Sequence, residues 1–318
     1  MALNVRVWSA AWLAGGSDIP GFESVRNTSD AILNELIMIC ERSVLGQTRN
    51  MATLREIQAR LKSVTNISKI TASMKMIAST KTTRAQRAMN VARIYGKVSN
   101  DFVKQADVKK ADGAKELLVT VSSDKGLCGG IHSSLSRKSR KFLAENPEAP
   151  LVILGDKAKA QLQRSYPNNI KYTFNQLGSS VPTFDEASIV ASTVLNDKDL
   201  EFDNAKLMYN RFVSAIAFET DAIEYYPISQ IVEAPNFKSY EFQEDVLQNL
   251  NEFLFANNLH WALVEGHASE MGAKRTAMEN ATKNANDMIN RLSLQYNRGR
   301  QAVITNELID IITGASAL

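Results

Sequence analysis

A glycine-rich segment is the first part of the sequence whose residue types could do chemistry. It runs from Asp124 to Gly130 as Asp-Lys-Gly-Leu-Cys-Gly-Gly, after a predicted strand and before a predicted helix. Phosphate-binding loops lie at such positions, but this one lacks the closing Gly-Lys-Ser/Thr of a P-loop and the spacing of a dinucleotide fingerprint. We therefore favour a tight strand-to-helix turn over a nucleotide site. For Cys128 we favour a small residue in a crowded turn over a nucleophile, because no base accompanies it.

The histidines and cysteines do not form a recognisable site in the sequence. His260 and His267 are seven residues apart, too far along a helix to share a metal ion, and His132 stands alone. Cys40 and Cys128 lie outside any CxxC pattern, which fits a reducing compartment. No Gly-x-Ser-x-Gly motif or catalytic triad can be picked out. We predict no catalytic residue, no cofactor and no metal site in this chain.

A long helix is predicted near the start of the chain. Between Ala52 and about Val108 there is no proline, and apolar residues recur in steps of three and four. A stripe this narrow suits packing against a single partner helix, and fifty helical residues would measure about 75 Å. The stripe consists of Leu54, Ile57, Leu61, Val64, Ile67, Ile70, Met74 and Ile77.

The end of the chain mirrors this pattern. From about Phe242 to Ile312 no proline intervenes, and small residues in both segments would let two helix backbones approach closely. We therefore predict an antiparallel coiled coil of the N- and C-terminal helices. The C-terminal stripe is Met278, Ala281, Ala285, Met288, Leu292, Tyr296, Val303, Leu308 and Ile311. The small residues are Ala78, Ala85, Ala88 and Ala92 near the start, and Ala273, Ala277, Ala281 and Ala285 near the end.

The middle of the chain has the residue pattern of an α/β layer, because short apolar runs alternate with segments that have helical periodicity. We predict a central Rossmann-like α/β domain. The predicted strands are Leu117–Val121, Leu151–Leu154 and Ala205–Val213, and the predicted helices are Ile131–Glu145, Asp156–Arg164 and Phe184–Leu195. The predicted segments are residues 52–112 for the first coiled-coil helix, 113–235 for the α/β domain and 236–318 for the second helix. Residues 1–51 are either a removable leader or a misassigned start of the reading frame.

Charge is distributed very unevenly in a chain whose net charge is only +3. Between Ala52 and Asn100 there are ten basic residues and one acidic residue, Glu56. Because its like charges repel one another, a helix this basic is expected to face an acidic partner, either nucleic acid or protein. Tyr95 is the only aromatic residue in this stretch that could stack on bases, which favours protein. The basic residues are Arg55, Arg60, Lys62, Lys69, Lys75, Lys81, Arg84, Arg87, Arg93 and Lys97.

Three separated motifs resemble the γ-subunit family of F-type ATP synthases. The first is Ala52–Ile57 running into Lys69–Ala78, and the second is the glycine-rich segment. The third and most specific is Ile304–Ser316, preceded in register by Tyr296–Ala302. The resemblance covers Ala52 to Leu318. Within the family, the chain resembles the mitochondrial branch and in particular its fungal members.

The resemblance implies a non-catalytic central-stalk rotor that couples proton-driven rotation to ATP synthesis on the β subunits. Its expected partners are the α3β3 hexamer, the δ and ε central-stalk subunits and the c-ring, with no nucleic acid. It would lie on the matrix side of the mitochondrial inner membrane and reach the membrane only through these partners. Two alternatives are a basic coiled-coil protein that binds nucleic acid or acts as a scaffold, and an enzyme that binds nucleotide at Gly126–Gly130.

The resemblance also implies partner contacts, each of which could instead be plain coiled-coil packing or a solvated side chain. Met74 and Lys75, with Arg275 on the other helix, match the contact with the acidic lever loop of β. Ile311, Ile312 and Leu318 match the apolar collar that acts as a bearing. The residues that match contacts near the tip of the shaft are Arg300, Gln301, Thr305 and Glu307.

Overall fold

The computed structural model describes residues 53–108, 115–178, 180–197, 200–237, 240 and 246–316. The interpretation of residues 1–51 and the placement of Leu318 lie outside these ranges. The described chain divides into two compact units, one within Asn66–Asn286 and the other holding residues 53–65 and 287–316. No described helix is long and apolar enough to cross a membrane.

The elements alternate between helix and strand, as the sequence predicts, and the predicted fold class is confirmed. The helices are α1 Leu54–Gln105, α2 Ile131–Glu145, α3 Asp156–Leu162, α4 Phe184–Leu195, α5 Ile228–Glu233 and α6 Val246–Ser316. The strands are β1 Glu116–Val121, β2 Leu151–Leu154, β3 Ile170–Phe174, β4 Asn204–Phe212 and β5 Phe218–Tyr225. The three predicted strands correspond to β1, β2 and β4, and the three predicted helices to α2, α3 and α4. Strands β3 and β5 and helix α5 were not predicted from the sequence.

The strands form one sheet in the order β3-β2-β1-β4-β5. The first four are parallel, and β5 pairs antiparallel with β4. The chain leaves β1 toward β2 and β3 and then returns to the other side of β1 for β4, so the strand order reverses at β1. This is the arrangement of a doubly wound α/β layer, with helices available to cover both faces.

Both faces of the sheet are buried, which explains the apolar runs within three strands: Leu117–Val119 in β1, Leu151–Leu154 in β2 and Leu207–Tyr209 in β4. On one face, Leu117 and Leu207 pack against α4 and α6, and Phe255 of α6 is fully buried among them. On the other face, Leu118 and Ile153 pack against α2 and α3. Helix α6 is therefore part of the core of the α/β domain as well as a partner of α1.

Helices α1 and α6 pair antiparallel within the larger unit. Three contacts join them: Ser68 donates a hydrogen bond to Asn286 (2.7 Å), Thr282 donates one to Thr71 (2.8 Å), and Lys75 donates one to Glu279 (2.8 Å). The residue numbers rise along α1 while those of the partners on α6 fall. In the smaller unit, a Cβ added to Gly299 would lie 3.0 Å from Leu54. The predicted antiparallel pairing of the two terminal helices is confirmed.

The position of the seam along α1 differs from the prediction after Ile67. Ile70, Met74 and Ile77 are 54%, 40% and 58% exposed, so placing them in the stripe was wrong. The buried positions instead keep a coiled-coil spacing of 3.5 residues, which carries the seam away from those side chains. They are Thr71, Ala78, Thr82, Ala85, Met89, Ala92, Gly96 and Ser99.

The same kind of error affects the C-terminal stripe. Met278 and Ala285 are buried as expected, whereas Met288 is exposed and its neighbour Ile289 is half-buried. The later stripe residues Val303, Leu308 and Ile311 are also exposed, so assigning them to the seam was wrong. The first residue of α1, Leu54, already meets Gly299, and no described residue of α1 remains to cover the rest of α6.

Candidate partner-contact site

The predicted lever-loop contacts lie where α1 and α6 pair. Lys75 donates a hydrogen bond to the Glu279 carboxylate at 2.8 Å, and Arg275 adds a second positive charge near that carboxylate. The hydrogen bond from Lys75 holds the pKa of Glu279 below its usual range, with Arg275 contributing in the same direction. Two cations therefore surround one exposed carboxylate, and Met74 is partly exposed beside them.

Glu279 is a member of this cluster that the sequence analysis missed. It lies one turn after Arg275 on α6, and that four-residue spacing was a signal for an electrostatic neighbour. Its partner across the coil, 204 residues away in the chain, could not be read from local spacing. The structure brings Lys75 and Arg275 together around Glu279, so these three side chains carry one excess positive charge.

The second group of predicted contacts lies in the exposed last part of α6. Every described residue from 301 to 316 is exposed, including Gln301, Thr305 and Glu307, and Arg300 is exposed as well. The Thr305 hydroxyl donates to the Gln301 carbonyl oxygen at 2.8 Å, an internal helix contact. Ile311 and Ile312 are 68% and 57% exposed. A run of large apolar side chains left in water marks an interaction surface.

The glycine-rich segment forms a tight turn held by Asp124. Its carboxylate accepts hydrogen bonds from the backbone N–H of Asp156 (2.9 Å) and of Gln176 (2.8 Å), which lie just after β2 and β3. Gly155 has φ of +98°, and a Cβ there would lie 2.7 Å from the backbone nitrogen of Ser123. These contacts draw three strand ends together, as expected for a structural turn.

Cys128 is buried within this turn and donates a hydrogen bond to the Gly126 carbonyl oxygen at 3.1 Å. Burial, together with the nearby Glu270 carboxylate, raises the pKa of the thiol to about 12. The thiol is therefore protonated at neutral pH, and only the thiolate is an effective nucleophile. This environment supports the interpretation of Cys128 as a packing residue.

Two buried titratable side chains of α6 face the turn. Burial raises the pKa of the Glu270 carboxyl. Burial first, and then the nearby Lys125, Lys81 and Lys274, lowers the pKa of His267 to about 4. The 3.9 Å approach of His267 to Glu270 is thus a contact of a neutral imidazole at neutral pH. In the described ranges, no group of three or more His, Cys, Asp and Glu side chains could hold a metal ion.

The neutral state of His267 predicts an acid-sensitive fold. Its folded pKa of about 4 lies below the ordinary 6.5, so the unfolded chain binds the proton more readily. Stability is then complete above the ordinary value and is lost as pH falls toward the folded one, by about 2 kcal/mol between roughly pH 7 and pH 5. His267→Gln should flatten this dependence in urea-unfolding curves at the two pH values. An equal change in the free energy of unfolding between the two pH values, in the variant and in the wild type, would contradict the assignment.

Comparison with known proteins finds similarity over nearly all of the described chain. A protein-family model described as ATP synthase matches residues 53–318. The mitochondrial ATP synthase subunit gamma of Yarrowia lipolytica is 48% identical over 282 residues, covering 87% of this chain and 96% of that protein. The mitochondrial ATP synthase F(1) complex subunit gamma of Rattus norvegicus is 43% identical over 273 residues, covering 84% of this chain and all of that protein.

Solved structures show the same fold. A chain in the central stalk and c-ring structure of Tetrahymena thermophila mitochondrial ATP synthase has a TM-score of 0.57 at 28% identity. That match covers 67% of this chain and 99% of the other. A chain in the OSCP, F1 and c-ring structure of Euglena gracilis mitochondrial ATP synthase has a TM-score of 0.72 at 20% identity, covering 83% and 94%.

Proposed function

This chain belongs to the ATP synthase family, among the mitochondrial γ subunits, and we propose from that membership that it is the central-stalk rotor of the complex. The observation that carries the proposal is the family match from residue 53 to the end, over a chain whose terminal helices pair antiparallel. In this role the chain couples proton-driven rotation to ATP synthesis on the β subunits. It is a peripheral component of the mitochondrial inner membrane, attached through the complex.

The rotor itself carries no catalytic residue in this proposal. The thiol of Cys128, the best candidate nucleophile, has a raised pKa. In the glycine-rich turn, the Asp124 carboxylate already accepts hydrogen bonds from two backbone N–H groups. Catalysis then belongs to the β subunits, and this chain acts by presenting different surfaces to them as it turns. Each contact stabilises one conformation of a β subunit over another. As the chain turns, conformations that bind nucleotide differently are therefore favoured one after another.

Two surfaces are suited to those contacts. Lys75 and Arg275, around Glu279, present an excess positive charge that would attract the acidic lever loop of β. Long-range attraction of this kind favours an acidic protein partner. The exposed apolar residues of α6, including Ile311 and Ile312, would sit in an apolar collar of the α3β3 hexamer. The charged and polar residues of the last turns that would touch β loops are Arg300, Gln301, Thr305 and Glu307.

Reconstitution tests the proposed function. The purified chain should hydrolyse no ATP, and its addition to an α3β3 hexamer should change the rate of ATP hydrolysis. In vesicles that hold the other subunits of the complex, a proton gradient should drive ATP synthesis only when this chain is added. Hydrolysis by the isolated chain, or gradient-driven synthesis of equal rate without it, would contradict the proposal.

A further inference from the structure

Three secondary-structure elements meet at the carboxylate of Glu265 in α6, whose side chain is completely buried. Trp261, one turn earlier on the same helix, donates its indole N–H at 2.6 Å. The backbone N–H of Phe212, at the end of β4, donates at 3.2 Å. Arg93 of α1 donates from Nε at 3.3 Å and also from Nη2. One carboxylate thus links α1, β4 and α6.

Arg93 strengthens the link because it contacts two of these elements at once. Its Nη2 also donates to the carbonyl oxygen of Phe212 at 2.6 Å. The guanidinium is a rigid planar group with donors in a fixed arrangement, so its partners must keep their relative positions. If α1 rolled about its axis or slid along α6, hydrogen bonds to both Glu265 and Phe212 would break together.

The apolar packing around this polar group is less directional than the ion pair. Ala85, Met89 and Ala92 of α1 form an apolar cluster with Val264, Ala268 and Met271 of α6. Apolar burial is non-directional, whereas hydrogen bonds to a charged carboxylate depend strongly on distance and angle. The apolar seam therefore mainly resists separation of the helices, and the Arg93–Glu265 ion pair adds resistance to rolling and sliding at the level of the sheet.

Gly96 brings the two helices close enough for the polar group to form. A Cβ added at Gly96 would lie 2.5 Å from the Trp261 ring, so the ring rests directly on the backbone of α1. The Trp261 indole is consequently pressed between α1 and the Glu265 carboxylate to which it donates. The close approach and the ion pair belong to one arrangement, one turn of α1 apart.

We propose that Arg93 and Glu265, with Trp261 and Phe212, form the joint that transmits torque between α1 and the unit that the sheet makes with α6. They act as positioning residues, since their contacts within the chain set the angle of α1 on the sheet and on α6. This inference rests on the proposed rotor function. Loosening the joint lets the sheet and α6 turn without an equal turn of α1, so that ATP hydrolysis continues while proton transport per ATP falls.

The test uses the complete complex in vesicles, with ATP hydrolysis and ATP-driven proton uptake measured in the same sample. Glu265→Gln keeps the size of the side chain and removes its charge, and Arg93→Lys keeps the charge and removes the planar fork. Both variants are expected to lose part of the proton-to-ATP ratio at temperatures well below their unfolding midpoints. Arg93→Lys should lose less, because an ammonium can still reach one carboxylate oxygen.

A matched control separates torque transmission from simple loss of stability. Leu143→Ala creates a cavity in the core between α2 and the sheet, on the face opposite α6, and should lower the unfolding midpoint while keeping the wild-type ratio. A wild-type ratio in both Arg93→Lys and Glu265→Gln would overturn the joint. An equal loss of ratio in Leu143→Ala, or failure of both joint variants to assemble, would also overturn it. A wild-type complex without coupled pumping would instead count against the proposed function.

Discussion

Replacing Phe255 with alanine is expected to lower the free energy of unfolding by about 3–5 kcal/mol. The Phe255 ring is fully buried in the core that α6 shares with the sheet, and it meets Tyr225 of β5 edge-on at 4.8 Å between ring centroids. Alanine would leave a cavity that the close-packed strands cannot collapse to fill. Because the same helix pairs with α1, this loss also weakens the hold of α6 on the α/β domain.

Phe253 provides the matched control, two residues earlier on the same helix. It is 47% exposed and contacts Phe184 at a centroid distance of 6.0 Å. Phe253→Ala removes the same atoms and should cost only about 1 kcal/mol or less. Urea unfolding of the full chain, followed by tryptophan fluorescence, measures both changes. Equal losses for the two variants would show that Phe255 does not have the central place in the core that its burial indicates.

Replacing Lys75 with glutamate is expected to weaken coupling between ATP hydrolysis and proton transport in the complete complex. The change puts a carboxylate beside Glu279 and, in the proposed assembly, against the acidic lever loop of β. Like charges at these separations repel each other, and the repulsion is reduced by salt when the groups are exposed. Proton uptake per ATP hydrolysed should therefore fall, and the loss should be smaller at high ionic strength.

A charge swap distinguishes the two possible origins of this effect. Lys75→Glu combined with Glu279→Lys restores an ion pair within the chain but leaves a carboxylate at position 75. If Lys75 acts through its contact with β, the double variant should remain impaired, measured by the same proton-to-ATP ratio. Full recovery in the double variant would place the role of Lys75 within the coiled coil, and a wild-type ratio in Lys75→Glu alone would remove the assignment.

Strands that are buried on both faces could be recognised from sequence, whereas edge strands could not. Strands β1, β2 and β4 contain continuous apolar runs because α2 and α3 cover one face and α4 and α6 the other. Strand β3 lies at one edge of the sheet and includes Lys171, while β5 lies at the other edge and includes Glu219, Asp221 and Glu224. Charged residues tolerated at an edge interrupt the apolar pattern on which strand prediction depends.

The amino-acid sequence by itself determined the fold class, the pairing of the terminal helices and the family, because long proline-free periodic segments and ordered motifs are local properties of the chain. Only the tertiary structure decided that the seam passes through Thr71 and leaves Ile70 exposed. It also decided that the buried Glu265 pairs with Arg93, 172 residues away in the chain. The predicted and the observed seams of α1 are offset by one residue. A carboxylate is tolerated in the interior only when donors from distant parts of the chain converge on it. Both outcomes depend on how close the helix backbones come to each other and to the sheet, which the packing of the whole domain sets.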